Sequence, residues 1–502
     1  MLKHLIHTAE RQRQHPALID AAGIHSYGTL LSRSRTVAAR LLQNTEDLDG
    51  ARIGLLCTPG LDYVAGQWGI WMAGGVVVPL SPQHPSAEWH SALESAEAGA
   101  LVADSAHAPG SAETARELDL RCVASGEAPA LDPGPLPEIR ANRPAIMLFT
   151  SGTTSRPKGV VTSHETIEAQ VRSLVEAWEW SARDRILHVL PLHHIHGVIN
   201  VLGCALYAGA CCEFMPFDEA RVWRRLGSGD VSLFMAVPTI YRRLLRWWDV
   251  AEDAERSDLR AGLHAVRLMV SGSAALPVSV LEAWRERTGH TLLERYGMTE
   301  IGMALSNPLH GERVPGSVGT PLPGVDVRVV DERGAACPEG APGEIQVRGA
   351  TVFQEYWGAP EATRSAFDNG WFRTGDVAVV RDGVYRILGR ASVDIIKTGG
   401  YKVSALEIEE VFREHADIVD LAVVGLPDEE WGERVTAVVV PRDGTEVVLE
   451  PLREWGRTRL AAYKLPSLLV VRAELPRNAM GKVNKPELIR SLAPHSDRAT
   501  KL

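Results

Sequence analysis

Phe149-Thr150-Ser151-Gly152-Thr153-Thr154-Ser155-Arg156-Pro157-Lys158-Gly159 joins an apolar run, 145–149, to a loop of hydroxyls, glycines and cations. The run has the length and composition of a buried strand. The loop has the chemistry to wrap polyphosphate. Its hydroxyls and exposed backbone N–H groups suit phosphate oxygens, and Lys158 adds charge. It is not a Walker A loop, because G-x-x-x-x-G-K-[ST] is absent. Taken alone it reads equally as a Ser/Thr turn beside a solvated lysine.

Further apolar runs lie at 53–57, 76–80, 186–190, 233–237 and 266–270, with helical patterns such as 32–43 and 165–178 between them. This rhythm predicts an α/β fold of largely parallel sheets with helices outside. Much of 106–142, rich in Ala, Glu and Pro, reads as surface connection. After Gly316 the runs 325–330, 344–348 and 384–388 are short, alternating and separated by glycine turns, which predicts a small antiparallel barrel. Ser404-Ala-Leu-Glu407 is a capping box opening a helix to about residue 415. Strands at 419–425, 434–441 and 468–471 complete a compact α+β unit. The expected division is a large N-terminal domain, 1–390, and a small mobile C-terminal domain, 391–502.

The chain has 502 residues and a net charge of −10, from 63 acidic and 53 basic residues spread along its length. That balance argues against nucleic acid or an anionic membrane as partner. Its longest apolar stretches, 68–80 and 198–212, are interrupted or too short to span a bilayer. Six cysteines form no C-x-x-C pair, which suits a reducing compartment. With no leader pattern at the N-terminus, the expected location is the cytoplasm.

The segment T-S-G-T-T-x-R-P-K-G resembles the phosphate loop of the adenylate-forming superfamily of acyl-CoA synthetases, adenylation domains and luciferases. Similar motifs follow in the superfamily's order: Tyr296-Gly-Met-Thr-Glu300, Thr374-Gly-Asp376, Gly389-Arg390, Lys397-Thr-Gly-Gly-Tyr401 and Pro476-Arg-Asn-Ala-Met-Gly-Lys482. Leu190-Pro-Leu-His-His-Ile-His-Gly197, Val237-Pro-Thr-Ile-Tyr241, Val270-Ser-Gly-Ser-Ala-Ala-Leu-Pro277 and Glu294-Arg-Tyr-Gly-Met-Thr-Glu-Ile-Gly302 resemble the malonyl-CoA synthetase group, which takes malonate and methylmalonate. Two features depart from the superfamily pattern. Ser155 stands where glycine is usual; at positive φ it costs on the order of 1 kcal/mol, and weaker ATP binding is the expected effect. The spacing from Arg390 to Lys397 is one residue longer than common, leaving the pivot between Ser392 and Val393.

The resemblance implies ATP, Mg²⁺ and CoA as reactants. A carboxylate would attack the α-phosphorus of ATP to give an acyl-AMP, and the acyl group would then pass to the thiol. Two anions must meet, so the site must neutralise charge. Lys482 is implied to bridge carboxylate and α-phosphate. Glu300 would hold Mg²⁺ and Thr299 the α-phosphate. Asp376 would clamp the ribose, with Arg390 on ribose or phosphate. Thr150 to Ser155 and Lys158 would hold the phosphates. Gly272, Ser273, Ala274 and the run Glu294, Arg295, Tyr296, Gly297 and Met298 would line the adenine and acyl pocket, with Tyr296 offering a face to the purine. Lys397, Gly399, Gly400, Tyr401 and Lys402 would meet CoA once the small domain has pivoted after Arg390.

A second carboxylate, as in malonate, cannot be buried unpaired. Arg295 and Arg243 are the candidate guanidiniums, and Ser271 or Ser273 a neutral donor. His193, His194 and His196 precede Gly197 without a carboxylate or cysteine at metal spacing, so a metal site is not expected. His196 is implied to gate the acyl pocket near the thiol. The competing readings are a ligase for another short acid, a carrier-protein adenylation domain, and a catalytically weak adenylate binder. No carrier-protein module is expected in the chain. Partners are expected to be small molecules.

Overall fold

The computed structural model describes residues 1–43, 45–126, 134–150, 157–477 and 482–492. Three sheets build the first part of the chain. The first has nine strands, with Leu293–Met298, Leu268–Ser271, Leu233–Ala236, Arg185–His188, Cys211–Phe214 and Pro16–Asp20 running parallel through its middle. Its edges are antiparallel: Gly302–Ser306 and Thr320–Pro321 on one side, Gly23–Ser26 on the other. The second has seven strands. Its parallel core is Pro144–Thr150, Val76–Pro79, Arg52–Leu56, Ala100–Ala103 and Arg121–Ala124.

The helix Leu61–Met72 lies between these two sheets and is buried at every position but Asp62. It contacts the strand Pro16–Asp20 of one sheet and Arg52–Leu56 and Val76–Pro79 of the other. A helix apolar all round needs such a place. The apolar stretch 68–80 is thus the end of this helix plus a central strand. Among the described residues no helix is long and apolar enough to cross a membrane.

A third sheet is antiparallel, with Val325–Val330, Gly343–Gly349, Trp371–Arg381 and Val384–Arg390 as its main strands. A fourth, over Ile395–Thr398, Tyr401–Ser404, Ile418–Asp428, Gly432–Pro441 and Leu468–Val471, forms the small C-terminal unit. Its helix Ala405–Phe412 opens on Ser404, whose side chain accepts from Glu407 N.

Two stretches carry local structure that the sequence did not mark. Residues 106–142 are not all connection, since a helix, Ala108–Glu117, and an edge strand, Arg121–Ala124, lie within them. The strand is mostly solvent-facing and lacks an apolar alternation to reveal it. The stretch 198–212 contains a π-helix, His196–Gly203, running into the short helix Cys204–Ala208. A one-residue-wider turn leaves no periodicity signal over eight residues, though such turns favour functional places.

Candidate active site

The hydroxyl-rich segment is flanked by two paired strands. Strands Pro144–Thr150 and Lys158–Ser163 pair antiparallel with Thr150 opposite Lys158. Ser151, Gly152, Thr153, Thr154 and Ser155 lie outside the described residues. Lys158 Nζ stands 4.8 Å over the ring of Tyr356. The Tyr356 hydroxyl donates to Glu300 Oε1 at 2.9 Å. Burial raises the Glu300 carboxyl, against the Tyr356 hydrogen bond and the positive fields of Arg390 and Lys158. Thr299 precedes Glu300 in the same turn. Tyr356 had no signal in the sequence, since it meets Glu300 across 56 residues.

Beside this group, the antiparallel pair Trp371–Arg381 and Val384–Arg390 sets Asp376 opposite Arg390. Arg390 donates Nε to Oδ1 at 3.0 Å and Nη2 to Oδ2 at 3.5 Å. The Tyr296 hydroxyl donates to Oδ2 at 2.6 Å. A carboxylate can accept about four hydrogen bonds, so Asp376 keeps capacity for further donors. Two motifs distant in sequence thus become one oriented carboxylate.

The third group gathers at the carboxyl ends of the parallel strands, where open α/β sheets place their ligands. Leu268–Ser271 and Leu293–Met298 pair with Ser271 opposite Glu294. Glu294 Oε1 accepts from Leu276 N at 3.0 Å, and burial raises its carboxyl to about 8. It fastens the loop after Ser271 and makes no pair with Arg295.

The Arg295 side chain is buried, and neither its Nε nor its Nη2 finds a partner among the described residues. Burial pulls its guanidinium down to about 10. A Cβ on Gly272 would stand 2.3 Å from Arg295 Cζ, so only glycine admits the guanidinium there. The next residue, Ser273, has φ +69° and places its hydroxyl 3.2 Å from His196 Nδ1. Ala274 follows, exposed.

His196 and Ser271 are buried, and among the described residues neither His196 Nε2 nor Ser271 Oγ has a partner. Burial first, then the Arg295 field, holds His196 well below the usual histidine range, so it is neutral. The His193 and His194 rings lie 4.1 Å apart, tilted at 47°, with burial pulling them down to about 3 and 4.

Arg243 requires correction as a pocket residue. On the helix Pro238–Val250 it is exposed, donates Nε to Glu219 at 2.6 Å, and lies 4.5 Å over the Phe217 ring. Its charge is already matched outside the pocket.

Lys482 enters from the small unit. Its side chain keeps contact with water, yet it stands in a cleft crowded enough to lower its ammonium pKa. Burial leads that effect; Arg295 and Arg390 add to it and Asp376 opposes. His194 feels Lys482 as well. Lys482 therefore lies between the Arg295 group and the Asp376–Arg390 pair.

The segment Lys397–Lys402 forms a tight hairpin through Gly399 and Gly400, at φ +54° and +83°. It faces elsewhere. Lys402 Nζ pairs with Glu332 at 2.6 Å, and Tyr401 stacks 4.4 Å from Tyr463. Val393 N and Asp394 N both donate to Arg390 O, so Ser392 and Val393 lie in one tight turn.

The model of the AMP-binding enzyme family matches residues 5–357, and that of the AMP-binding enzyme C-terminal domain matches residues 407–482. The chain is 46% identical over 525 residues to "Malonate--CoA ligase ACSF3, mitochondrial" of Mus musculus, covering 96% of this chain and 89% of that one. It is 40% identical over 522 residues to the malonate–CoA ligase of Arabidopsis thaliana, covering 93% and 84%. The crystal structure of ATP-bound MatB from Rhodopseudomonas palustris superposes with a TM-score of 0.87 at 32% identity, over 98% of this chain and 99% of that one. From residue 5 to residue 357, and again over 407–482, the chain matches these models, and it belongs to the AMP-binding enzyme family.

Proposed function

We propose that this chain is an ATP-dependent malonate–CoA ligase. A malonate carboxylate oxygen bonds to the α-phosphorus of ATP as the bond to pyrophosphate breaks. The thiol sulfur of CoA then bonds to the acyl carbon, AMP leaves with the electron pair, and the thiol proton is released. The observation that carries the reading is Arg295: a buried guanidinium whose Nε and Nη2 have no partner among the described residues, close enough to the buried His196 for its field to act on that ring. A dicarboxylate offers one carboxylate to phosphorus and a second to Arg295. The malonate–CoA ligase relatives and the ATP-bound neighbour support the same assignment.

In this reading Lys482 neutralises the two anions as they meet. Asp376 accepts the ribose hydroxyls, Arg390 holds it in place, and Thr150 and Lys158 flank the phosphates. Tyr296 presents its ring to the purine. Glu300 is the Mg²⁺ ligand. It fits an ion that arrives with the nucleotide, because Mg²⁺ takes one or two carboxylates and completes its shell with phosphate oxygens and water. Tyr356 favours the charged form of Glu300 that such an ion needs. Neutral His196 gates the acyl pocket. The small unit pivots after Arg390 and exchanges Lys482 for the Lys397–Lys402 hairpin, which meets CoA. Six free thiols suit a reducing compartment, and we place the reaction in the cytoplasm.

Pyrophosphate release across a panel of acids that includes malonate, methylmalonate, propionate and succinate, with and without CoA, tests this. Malonate should lead, and CoA should be required for sustained turnover. Preference for a monocarboxylate would overturn the malonate assignment.

A further inference from the structure

The helix Val278–Thr288 begins without a cap of its own. Pro277 precedes it, no side chain of its own caps it, and its first turn holds no acidic residue. Its first N–H, of Val278, donates instead to Glu410 Oε1 at 3.1 Å. Glu410 sits on the helix Ala405–Phe412 of the small unit. Its other oxygen faces Arg386 Nη2 at 3.6 Å, on the strand Val384–Arg390. Both partners precede the pivot while Glu410 follows it. A carboxylate at a helix N-terminus is favoured twice, as acceptor for a free N–H and as charge against the macrodipole.

This cap holds the loop that shapes the acid pocket. Between Ser271 and Val278 lie Gly272, which admits the Arg295 guanidinium, and Ser273, whose hydroxyl meets His196. Serine keeps its left-handed backbone only where its surroundings over-determine it. Glu294 fixes this loop from the sheet side through Leu276 N. Glu410 fixes its far end from the small unit.

We propose that Glu410 is a positioning residue for the first half-reaction: by capping the helix Val278–Thr288 across the domain boundary, it couples the docking of Lys482 to the shape of the acid pocket. The inference rests on the adenylate-forming reading above. When the small unit pivots, Val278 loses its acceptor and the loop loosens around the acyl group as the thiol attacks. Linkage makes the coupling reciprocal, so a bound acid also favours the docked pose.

Two assays on the full chain separate the steps: malonate-dependent ATP–pyrophosphate exchange, and CoA-dependent consumption of supplied malonyl adenylate. Glu410→Ala should lower kcat/KM for malonate in exchange about tenfold, mainly through KM, and leave the second step within about twofold. Glu410→Gln keeps an acceptor oxygen and should retain most of the exchange. Val278→Pro removes the same hydrogen bond from the other end, at a first-turn position that accepts proline. Pro277 already has the extended backbone required before proline, at ψ 134°. It should reproduce the split, and adding it to Glu410→Ala should cost nothing more.

The proposal is overturned if Glu410→Ala slows both steps equally or neither, if the two losses multiply, or if Glu410→Gln fails as Ala does. Absence of malonate-dependent exchange in the wild-type chain would instead overturn the assigned substrate, and the split would then be read with whichever acid supports exchange.

Discussion

Replacing Arg295 with methionine separates recognition from stability, because the two should move in opposite directions. Arg295 is 4% exposed, and two of its guanidinium nitrogens have no partner among the described residues. Its descent to about 10 corresponds to roughly 3 kcal/mol of unreturned desolvation. Methionine fills similar volume without that cost, so the ligand-free protein should melt at a higher temperature. Malonate should lose what the arginine gave it. One charge-assisted hydrogen bond contributes about 1.5–3 kcal/mol, and kcat/KM for malonate should fall by about ten- to a hundredfold. Propionate has no second carboxylate and should change by no more than about threefold. Pyrophosphate release with each acid and calorimetry without ligand supply the three measurements. Equal losses for both acids would refute the charge argument. A lower melting temperature would show that the guanidinium has a structural partner after all.

Lys482→Ala should reduce malonyl-AMP formation by about a hundredfold or more, while CoA should still consume malonyl-AMP supplied to the variant. Arg243→Ala should leave the ratio of malonate to propionate activity within about twofold of wild type, since its charge is matched by Glu219 on the surface. Tyr356→Phe removes a hydrogen bond that favours ionised Glu300, so the acid limb of the adenylation rate should move to higher pH. Glu294, raised to about 8, binds its proton more tightly folded than unfolded. Its contribution to stability is therefore full below the ordinary glutamate range and is lost as pH rises towards 8. Glu294→Gln, which keeps an acceptor for Leu276 N, should flatten the fall in melting temperature between pH 5 and 8.

The sheets were legible because their strands are buried on both faces and read as continuous apolar runs. The antiparallel part was legible from alternation between glycine turns. Asp376 and Arg390 were each visible as motifs, and their pairing follows from a hairpin whose turn lies midway between them. Arg243 was misread although its helix carried the warning. Tyr241, Leu244, Leu245 and Trp248 form the buried stripe, and residue 243 falls off it. Tyr356 and Glu410 were silent because each meets its partner through tertiary packing alone, across 56 and 132 residues. The π-helix under His196 was silent for a different reason: its period differs too little from an α-helix to mark eight apolar residues.

The physical case for a dicarboxylate rests on charge balance more than on the size of the pocket. Lys482 lies close enough to Arg295 for the guanidinium's field to lower its ammonium pKa. His196 beside them is neutral, and Glu294 points away to a backbone N–H. A monocarboxylic acid presents one charge, which the attack on phosphorus places against Lys482, and Arg295 stays buried and unmatched. That cost is already present in the ligand-free protein, so it leaves kcat/KM for the monoacid where it was, and only an acid that relieves it gains. A dicarboxylate neutralises both cations at once. Its length is then limited by the separation of Arg295 from the lysine, which favours the shortest spacer that reaches both. Selectivity by this route needs no steric wall, so Ser273→Gly, which opens the pocket, should leave malonate preferred over monoacids as long as Arg295 is in place.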